Sequence, residues 1–107
     1  MATARMPQPG GEDPVRADPR HYQVEFENER VRVVRIKYGS KEKSVMHSHP
    51  ESVAVFLTDA RAKFTYPDGR SEDITANAGS VLHMDAFTHL PESGDRPFEL
   101  IQIELKD

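Results

Sequence analysis

From His21 onward, the sequence consists of short β-prone runs separated by turns, and this pattern restricts the chain to an all-β fold. The runs HYQVEFEN and RVRVVRIKY either alternate apolar with polar residues or are rich in β-branched ones, as strands favour. The sequence Pro67-Asp68-Gly69 predicts the turn of a β-hairpin. No stretch of ten or more residues has a clean helical period. The roughly seven to nine strands that result are typical of an all-β sandwich or barrel.

Residues 1–20 differ in composition from the rest of the chain. They contain four of the eight prolines, mixed charges and few apolar residues, which is typical of segments that build no core. We therefore expect a flexible N-terminal tail over residues 1–20 and one β-barrel domain over residues 21–107. Docking of the tail on a partner subunit is the alternative.

The composition argues against several classes of function. The formal net charge is -4, whereas nucleic acid and anionic membranes bind to a concentrated basic face, so neither partner is predicted. Cysteine is absent, so a metal would have to be bound through nitrogen and oxygen. No stretch is long and apolar enough to span a bilayer, and no secretory signal is recognisable at the start, so we expect a cytoplasmic protein.

Two histidines stand one residue apart at the start of an apolar run. His47 and His49 belong to VMHSHPESVAVF, and side chains at i and i+2 project to the same face of a strand. This arrangement offers two ligands to one metal ion, and two unrelated surface or turn histidines are the alternative. The segment AGSVLHMDAFTHLPES adds His83 and His89. His21, at the edge of the tail, is expected to face solvent.

Together the two segments resemble the two sequence motifs of the cupin superfamily. The first motif places a glycine before H-x-H, matched by Gly39, His47 and His49, and the second places a histidine after a glycine-led strand, matched by Gly79 and His89. The resemblance covers the whole predicted domain. It implies a small single-domain cupin, which is a jelly-roll β-barrel, with His47, His49 and His89 as ligands of a divalent transition metal.

The chain departs from the first motif where a glutamate ligand is expected. Val53 or Ala54 stands there, and neither side chain can bind a metal. Glu51 is one candidate substitute, although it lies very near His49 in sequence, and His83 is another. The predicted site therefore has three ligands, and the fourth is left open.

His83 and three phenylalanines are the predicted contacts of a bound small molecule. His83 either points into the barrel beside the metal or points outward and is hydrogen-bonded to a neighbour. Aromatic residues in a small barrel either fill the core or form pocket walls. Those predicted here as pocket walls are Phe56, Phe64 and Phe87.

Three neutral imidazoles leave the charge of a divalent ion uncompensated, which favours an anionic or chelating organic ligand. The candidate metals are iron, zinc, nickel, copper and manganese. The predicted function is that of a metal-dependent enzyme, dioxygenase- or isomerase-like, acting on a small organic compound. The alternative is a non-catalytic cupin that binds a small ligand or metal for sensing or storage.

The chain also has more apolar strand surface than one thin sandwich covers. The runs VAVFL and LIQIEL are the longest such stretches. Since small barrels of this family pair through edge strands, the sequence predicts a homodimer.

Overall fold

The computed structural model describes residues 12–106, and residues 1–11 of the predicted tail lie outside this range. Within it, a short helix precedes a series of strands that occupy most of the chain, as the all-β prediction required. The elements are α1 (Pro14–Ala17), β1 (Tyr22–Glu27), β2 (Val31–Tyr38), β3 (His47–His49), β4 (Ser52–Phe56), β5 (Ala60–Thr65), β6 (Ser71–Ala76), β7 (Val81–Met84), β8 (Phe87–Ser93) and β9 (Phe98–Leu105).

The strands form two antiparallel sheets that face each other. The larger sheet has the order β1-β2-β9-β4-β7, and the smaller has the order β3-β8-β5-β6. Strands that are distant in sequence are thus neighbours in space, as in jelly rolls. In the described part of the chain, no helix has the length and apolar character needed to cross a membrane.

The hairpin predicted at Pro67-Asp68-Gly69 joins β5 to β6. The Gly69 amide donates to the Tyr66 carbonyl (2.9 Å), and the Tyr66 amide donates to the Arg70 carbonyl (2.8 Å). Gly69 has a φ of 90°, a conformation that glycine adopts without strain. The turn prediction is confirmed.

The core lies between the sheets and comes from alternate residues of their strands. Buried apolar side chains face inward from β2, β4 and β9, and the hydroxyls of Tyr22 and Tyr38 meet at 2.7 Å. On β9 the buried positions are Phe98, Leu100, Gln102 and Glu104. The interior therefore changes from apolar to polar along β9.

Residues 12–20 lie against the barrel, whereas the composition had predicted a flexible tail there. Asp13 caps α1 through its carboxylate, which accepts from the Arg16 amide, and Pro14 is buried. Asp13 also pairs with Arg32 at 2.6 Å. The Glu12 carbonyl accepts from the Ser48 amide at 2.8 Å. These anchors are mostly polar and local, so a count of apolar residues did not reveal them.

The prediction that His21 faces solvent is wrong. The residue is only 4% exposed, and its ring stacks on Tyr38 with centroids 4.2 Å apart. Its two ring nitrogens lie 2.6 Å from an Asp18 carboxylate oxygen and 2.9 Å from a Glu42 one. A histidine with a carboxylate at each nitrogen can be buried at the boundary of the barrel because both polar atoms are satisfied.

We expect deletion of residues 1–18 to destabilise the fold by about 3 kcal/mol or more, because it leaves the partly buried Arg32 without Asp13 and the buried His21 without Asp18. Thermal and urea denaturation measure this loss. Deletion of residues 1–11 keeps every contact named above and is the control. Equal stability of the two truncated proteins would show that the docked segment contributes nothing.

Candidate metal centre

Three histidines meet where β3 pairs with β8. His47 lies directly opposite His89 in the antiparallel register, and His49 lies opposite Phe87. Since β3 is extended, His47 and His49 project to one face, and that face is the interior. All three histidines are at most 3% exposed. The structure thus brings together the three ligands that the sequence predicted.

The three imidazoles are close enough to share one ion. Their ring centroids are 4.8 Å apart for His47 and His49, 4.8 Å for His47 and His89, and 5.1 Å for His49 and His89. One nitrogen from each ring belongs to a group whose members all lie within 4.8 Å of one another. A face of three imidazoles leaves coordination positions open for water or another ligand.

Several nitrogens of these rings are buried without a hydrogen-bond partner. The His47 Nδ1 is 2.8 Å from the Val45 carbonyl oxygen, which accepts from it in the Nδ1-protonated tautomer and leaves Nε2 free to bind a metal. The His47 Nε2, the His49 Nδ1 and both nitrogens of His89 have no partner among residues 12–106. Unpaired buried polar atoms are costly, and a metal ion would satisfy one on each ring. The donor set therefore fits a metal.

Burial keeps the rings of His47 and His89 neutral. Burial, reinforced by the nearby His49, lowers the pKa of His47 to about 3. Burial and the two neighbouring histidines hold the pKa of His89 well below its ordinary value. A neutral imidazole has the free lone pair that binding to a metal requires. These two rings are therefore ready to bind a metal at physiological pH.

The two positions that could have held the missing glutamate lie on opposite faces of β4. Ala54 is fully buried and lines the interior cavity, and Val53, its neighbour, points to the other side of the sheet. The vacancy in the motif is therefore at Ala54. Among residues 12–106, no carboxylate belongs to the group formed by His47, His49 and His89, although Glu104 approaches His49 alone.

Glu51 and His83 do not join the three histidines. The His83 Nε2 lies 2.6 Å from a Glu51 carboxylate oxygen, and the His83 side chain is 55% exposed. With Asp85 these residues form a separate cluster near the surface. The cavity lining does not include His83. Of the two orientations considered from the sequence, His83 has the outward one.

A cavity of about 70 Å³ adjoins the metal centre. Its wall includes His49, His89 and the three phenylalanines predicted as pocket walls, Phe56, Phe64 and Phe87. The Phe64 ring meets His89 edge-on at 4.3 Å, and Phe87 stacks on His49 at 5.1 Å. These aromatic rings therefore both pack the core and orient the imidazoles.

Two polar residues of β9 lie at the site although the sequence did not predict them there. Glu104 is buried, and its Oε2 lies 3.6 Å from the His49 Nδ1, while its Oε1 accepts from the Arg32 Nε at 2.7 Å. At 3.6 Å this approach is longer than a hydrogen bond, so the His49 Nδ1 and the Glu104 Oε2 both lack a hydrogen-bond partner among residues 12–106. Gln102 lines the cavity itself. The only available signal was their polar character within the run FELIQIEL.

No protein-family model matches the chain, and no curated protein matches it. Several solved structures are similar to this chain. A cupin domain from Bordetella pertussis has a TM-score of 0.73 and 24% identity, over 80% of this chain and 92% of that one. A Klebsiella pneumoniae protein with a double-stranded β-helix domain has a TM-score of 0.62 and 16% identity, over 95% and 83%.

A third likeness is to an iron protein. The structure of Fe(II)-HppE with an alternative substrate has a TM-score of 0.60 and 8% identity, over 78% of this chain and 48% of that one. Identities of 24% and below establish a shared fold. The chain has the jelly-roll fold of the cupins, which confirms the resemblance seen in its two motifs.

We expect the metal-free protein to lose stability as the pH falls below about 6.5. An imidazole of the unfolded chain gains its proton near pH 6.5, whereas burial lowers the pKa of His47 to about 3 and lowers that of His89 as well. The unfolded state therefore binds more protons in this range, so the free energy of unfolding decreases as the pH falls from 6.5 toward 3.

Thermal denaturation of chelator-treated protein at about pH 7.5 and about pH 5 measures this dependence. His89→Gln should weaken it, because one buried imidazole is removed. His83→Gln, in the exposed cluster, is the control and should leave it unchanged. An equal melting temperature at both pH values would contradict the prediction.

Restoring the missing carboxylate should strengthen metal binding. We expect Ala54→Glu to tighten binding of Co²⁺ about tenfold or more, which corresponds to about 1.4 kcal/mol, because it adds a donor oxygen and a compensating charge. Val53→Glu is the matched control, since it puts the same carboxylate on the other face of β4. Titration followed by visible absorption compares them. Equal Co²⁺ affinities in the two variants would mean that Ala54 does not face the metal.

Proposed function

We propose that this protein is a metal-dependent cupin that binds a small anionic or chelating organic compound at a three-histidine centre and acts on it as an enzyme. The observation that carries this proposal is the set of buried imidazole nitrogens without partners on His47, His49 and His89. A fold whose interior needed only packing would not keep three adjacent buried imidazoles there. The cupin fold and the cavity beside them support the same conclusion.

Iron(II) is the metal we favour. Imidazole ligands suit iron, zinc, nickel and copper, and oxygen-rich sites suit manganese better. A structural neighbour, HppE, was solved in an Fe(II) form with a substrate. When bound, a divalent ion would supply Lewis acidity, and iron would add reactivity toward dioxygen. The reaction class that follows is oxidation of the bound compound by dioxygen.

The protein's own residues would bind and orient the substrate. The phenylalanines and aliphatic residues of the cavity exclude water from the open side of the centre. Glu104 faces His49, with 3.6 Å between its Oε2 and the His49 Nδ1. Imidazole ligands carry no negative charge that would offset that of the ion, so an anionic oxygen of the substrate is drawn to it.

One observation favours the alternative, a cupin that binds a ligand or metal without catalysis. The described cavity wall contains no carboxylate, and its two tyrosine hydroxyls are bonded to each other. Burial raises the pKa of Tyr22 and of Tyr38. Groups able to transfer protons to a substrate are therefore scarce, as expected of a sensing or storage protein.

We expect His47→Ala, His49→Ala and His89→Ala each to remove most of the metal, because each deletes one of three ligands. His83→Ala should retain it, because that side chain lies in the surface cluster. Elemental analysis of protein purified without an affinity tag gives the metal and its stoichiometry. Full metal content in the His89→Ala protein would refute the proposed centre.

Oxygen consumption separates the two functions. The Fe²⁺-loaded wild type, supplied with candidate small carboxylates, should consume dioxygen, and the metal-depleted His47→Ala protein should not. A ligand that binds tightly and is recovered unchanged, with no oxygen consumed, would identify a binding protein instead.

We further propose that the protein forms a homodimer through the outer face of the larger sheet. Register and alternation place apolar side chains of four adjacent strands on that face, where the described chain leaves them partly exposed. A continuous apolar surface of this kind is typical of an interface. These residues are Val33, Val53, Val55, Val81, Ile101 and Ile103.

Sedimentation at micromolar concentration should show a dimer for the wild type and a monomer for Ile103→Lys, because a lysine in the middle of this face would have to be buried in the interface. Val45→Lys replaces an exposed apolar residue in the segment before β3, a strand of the smaller sheet, and should leave the dimer intact. A monomeric wild type would show that the face is not an interface between copies.

A further inference from the structure

Gln102 stands at the boundary between the apolar and the polar part of the barrel interior. It occupies an inward position of β9, with Glu104 next on the same face, and its register partner on β4 is Ala54. Its side chain lines the same cavity as His49 and His89. The small side chain of Ala54 leaves open space beside the amide.

The amide of Gln102 is buried without a partner. The residue is 3% exposed, and its Nε2 has no hydrogen-bond partner within residues 12–106. Its register partners, Val34 on β2 and Ala54 on β4, offer only apolar side chains. A buried donor left unpaired destabilises a fold, and an apolar residue would pack here without that cost. The fold itself therefore gives no reason for a glutamine at this position.

We propose that Gln102 determines which ligand the cavity accepts, by donating a hydrogen bond to an acceptor oxygen on a compound whose anionic end is held at the three-histidine centre. This inference rests on the proposed metal centre. The amide is suited to this role because the other polar groups of the cavity wall already have partners or belong to the proposed metal centre. The hydroxyls of Tyr22 and Tyr38 are paired with each other, and His49 and His89 belong to the metal centre.

The cavity also defines the class of ligand. The cavity is about 70 Å³ and is not closed, so a short molecule lies only partly inside it. The wall beyond the polar groups is apolar, so the part of the ligand inside is apolar. The uncompensated charge of a metal bound by neutral imidazoles favours a carboxylate at one end. The Gln102 amide favours a carbonyl oxygen further along the chain. A small oxo-carboxylate has all these properties.

Two probe compounds isolate the hydrogen bond. 4-Oxopentanoate and 4-methylpentanoate have the same carboxylate and the same number of non-hydrogen atoms, and differ by an oxygen in place of a methyl group. Their affinities for the Zn²⁺-loaded full-length protein are measured by calorimetry. We expect the wild type to prefer 4-oxopentanoate by about tenfold. Gln102→Leu should abolish or reverse that preference, with the affinity for Zn²⁺ unchanged.

Gln23→Leu, a change at an exposed glutamine of β1, is the control and should keep the wild-type preference. An unchanged preference in Gln102→Leu would overturn the proposal. A large loss of Zn²⁺ affinity in that variant would also overturn it, because Gln102 would then be a metal ligand. So would the failure of both probes to bind the Zn²⁺-loaded wild type.

A measurement on metal-free protein distinguishes failure of this inference from failure of the proposed metal centre. If Zn²⁺ does not bind at the histidines, the proposed function fails. The side-chain amide signals of Gln102, assigned by their loss in Gln102→Leu, then decide the inference separately. A shift of these signals with 4-oxopentanoate but not with 4-methylpentanoate would support the donor role, and no shift would refute it.

Discussion

The pairing of β3 with β8 is the interaction on which the candidate site depends. The register sets His47 beside His89, and alternation along β3 adds His49 to the same face. A slip of one residue would turn the histidines of one strand outward and separate them from those of the other. Because β3 has only three residues, its position needs support beyond β8, and the docked segment at Glu12 supplies it through the Ser48 amide.

The polar end of the interior is stabilised by the apolar end. Phe98 and Leu100 belong to a tightly buried core, while Gln102 and Glu104, further along the same strand, carry buried atoms without hydrogen-bond partners in the described chain. Each such atom lowers the free energy of unfolding. The packing of the remaining barrel must offset that loss. The same burial keeps the imidazoles of His47 and His89 unprotonated, so the feature that destabilises the site also prepares these two rings to bind a metal.

The sequence was sufficient to predict those features that local spacing determines. The turn at Gly69 and the shared face of His47 and His49 depend on neighbouring residues alone, and the cupin motifs supplied His89. The orientation of β9 depends on tertiary packing instead. In FELIQIEL the set containing Ile101 and Ile103 is the more apolar, yet the other set, with Gln102, faces inward. Alternation gives two faces of a strand and does not say which one is inside.

The chain of contacts from Asp13 through Arg32 and Glu104 to His49 has a consequence for the behaviour of the whole molecule. Metal binding at one end of these contacts and docking of α1 at the other are thermodynamically linked. Each therefore stabilises the other by the same coupling free energy. An ion held by the imidazoles would therefore slow protease cleavage and amide hydrogen exchange in the segment around α1. Detachment of that segment would in turn weaken binding of the ion, so cleavage and exchange around α1 would report whether the barrel holds one.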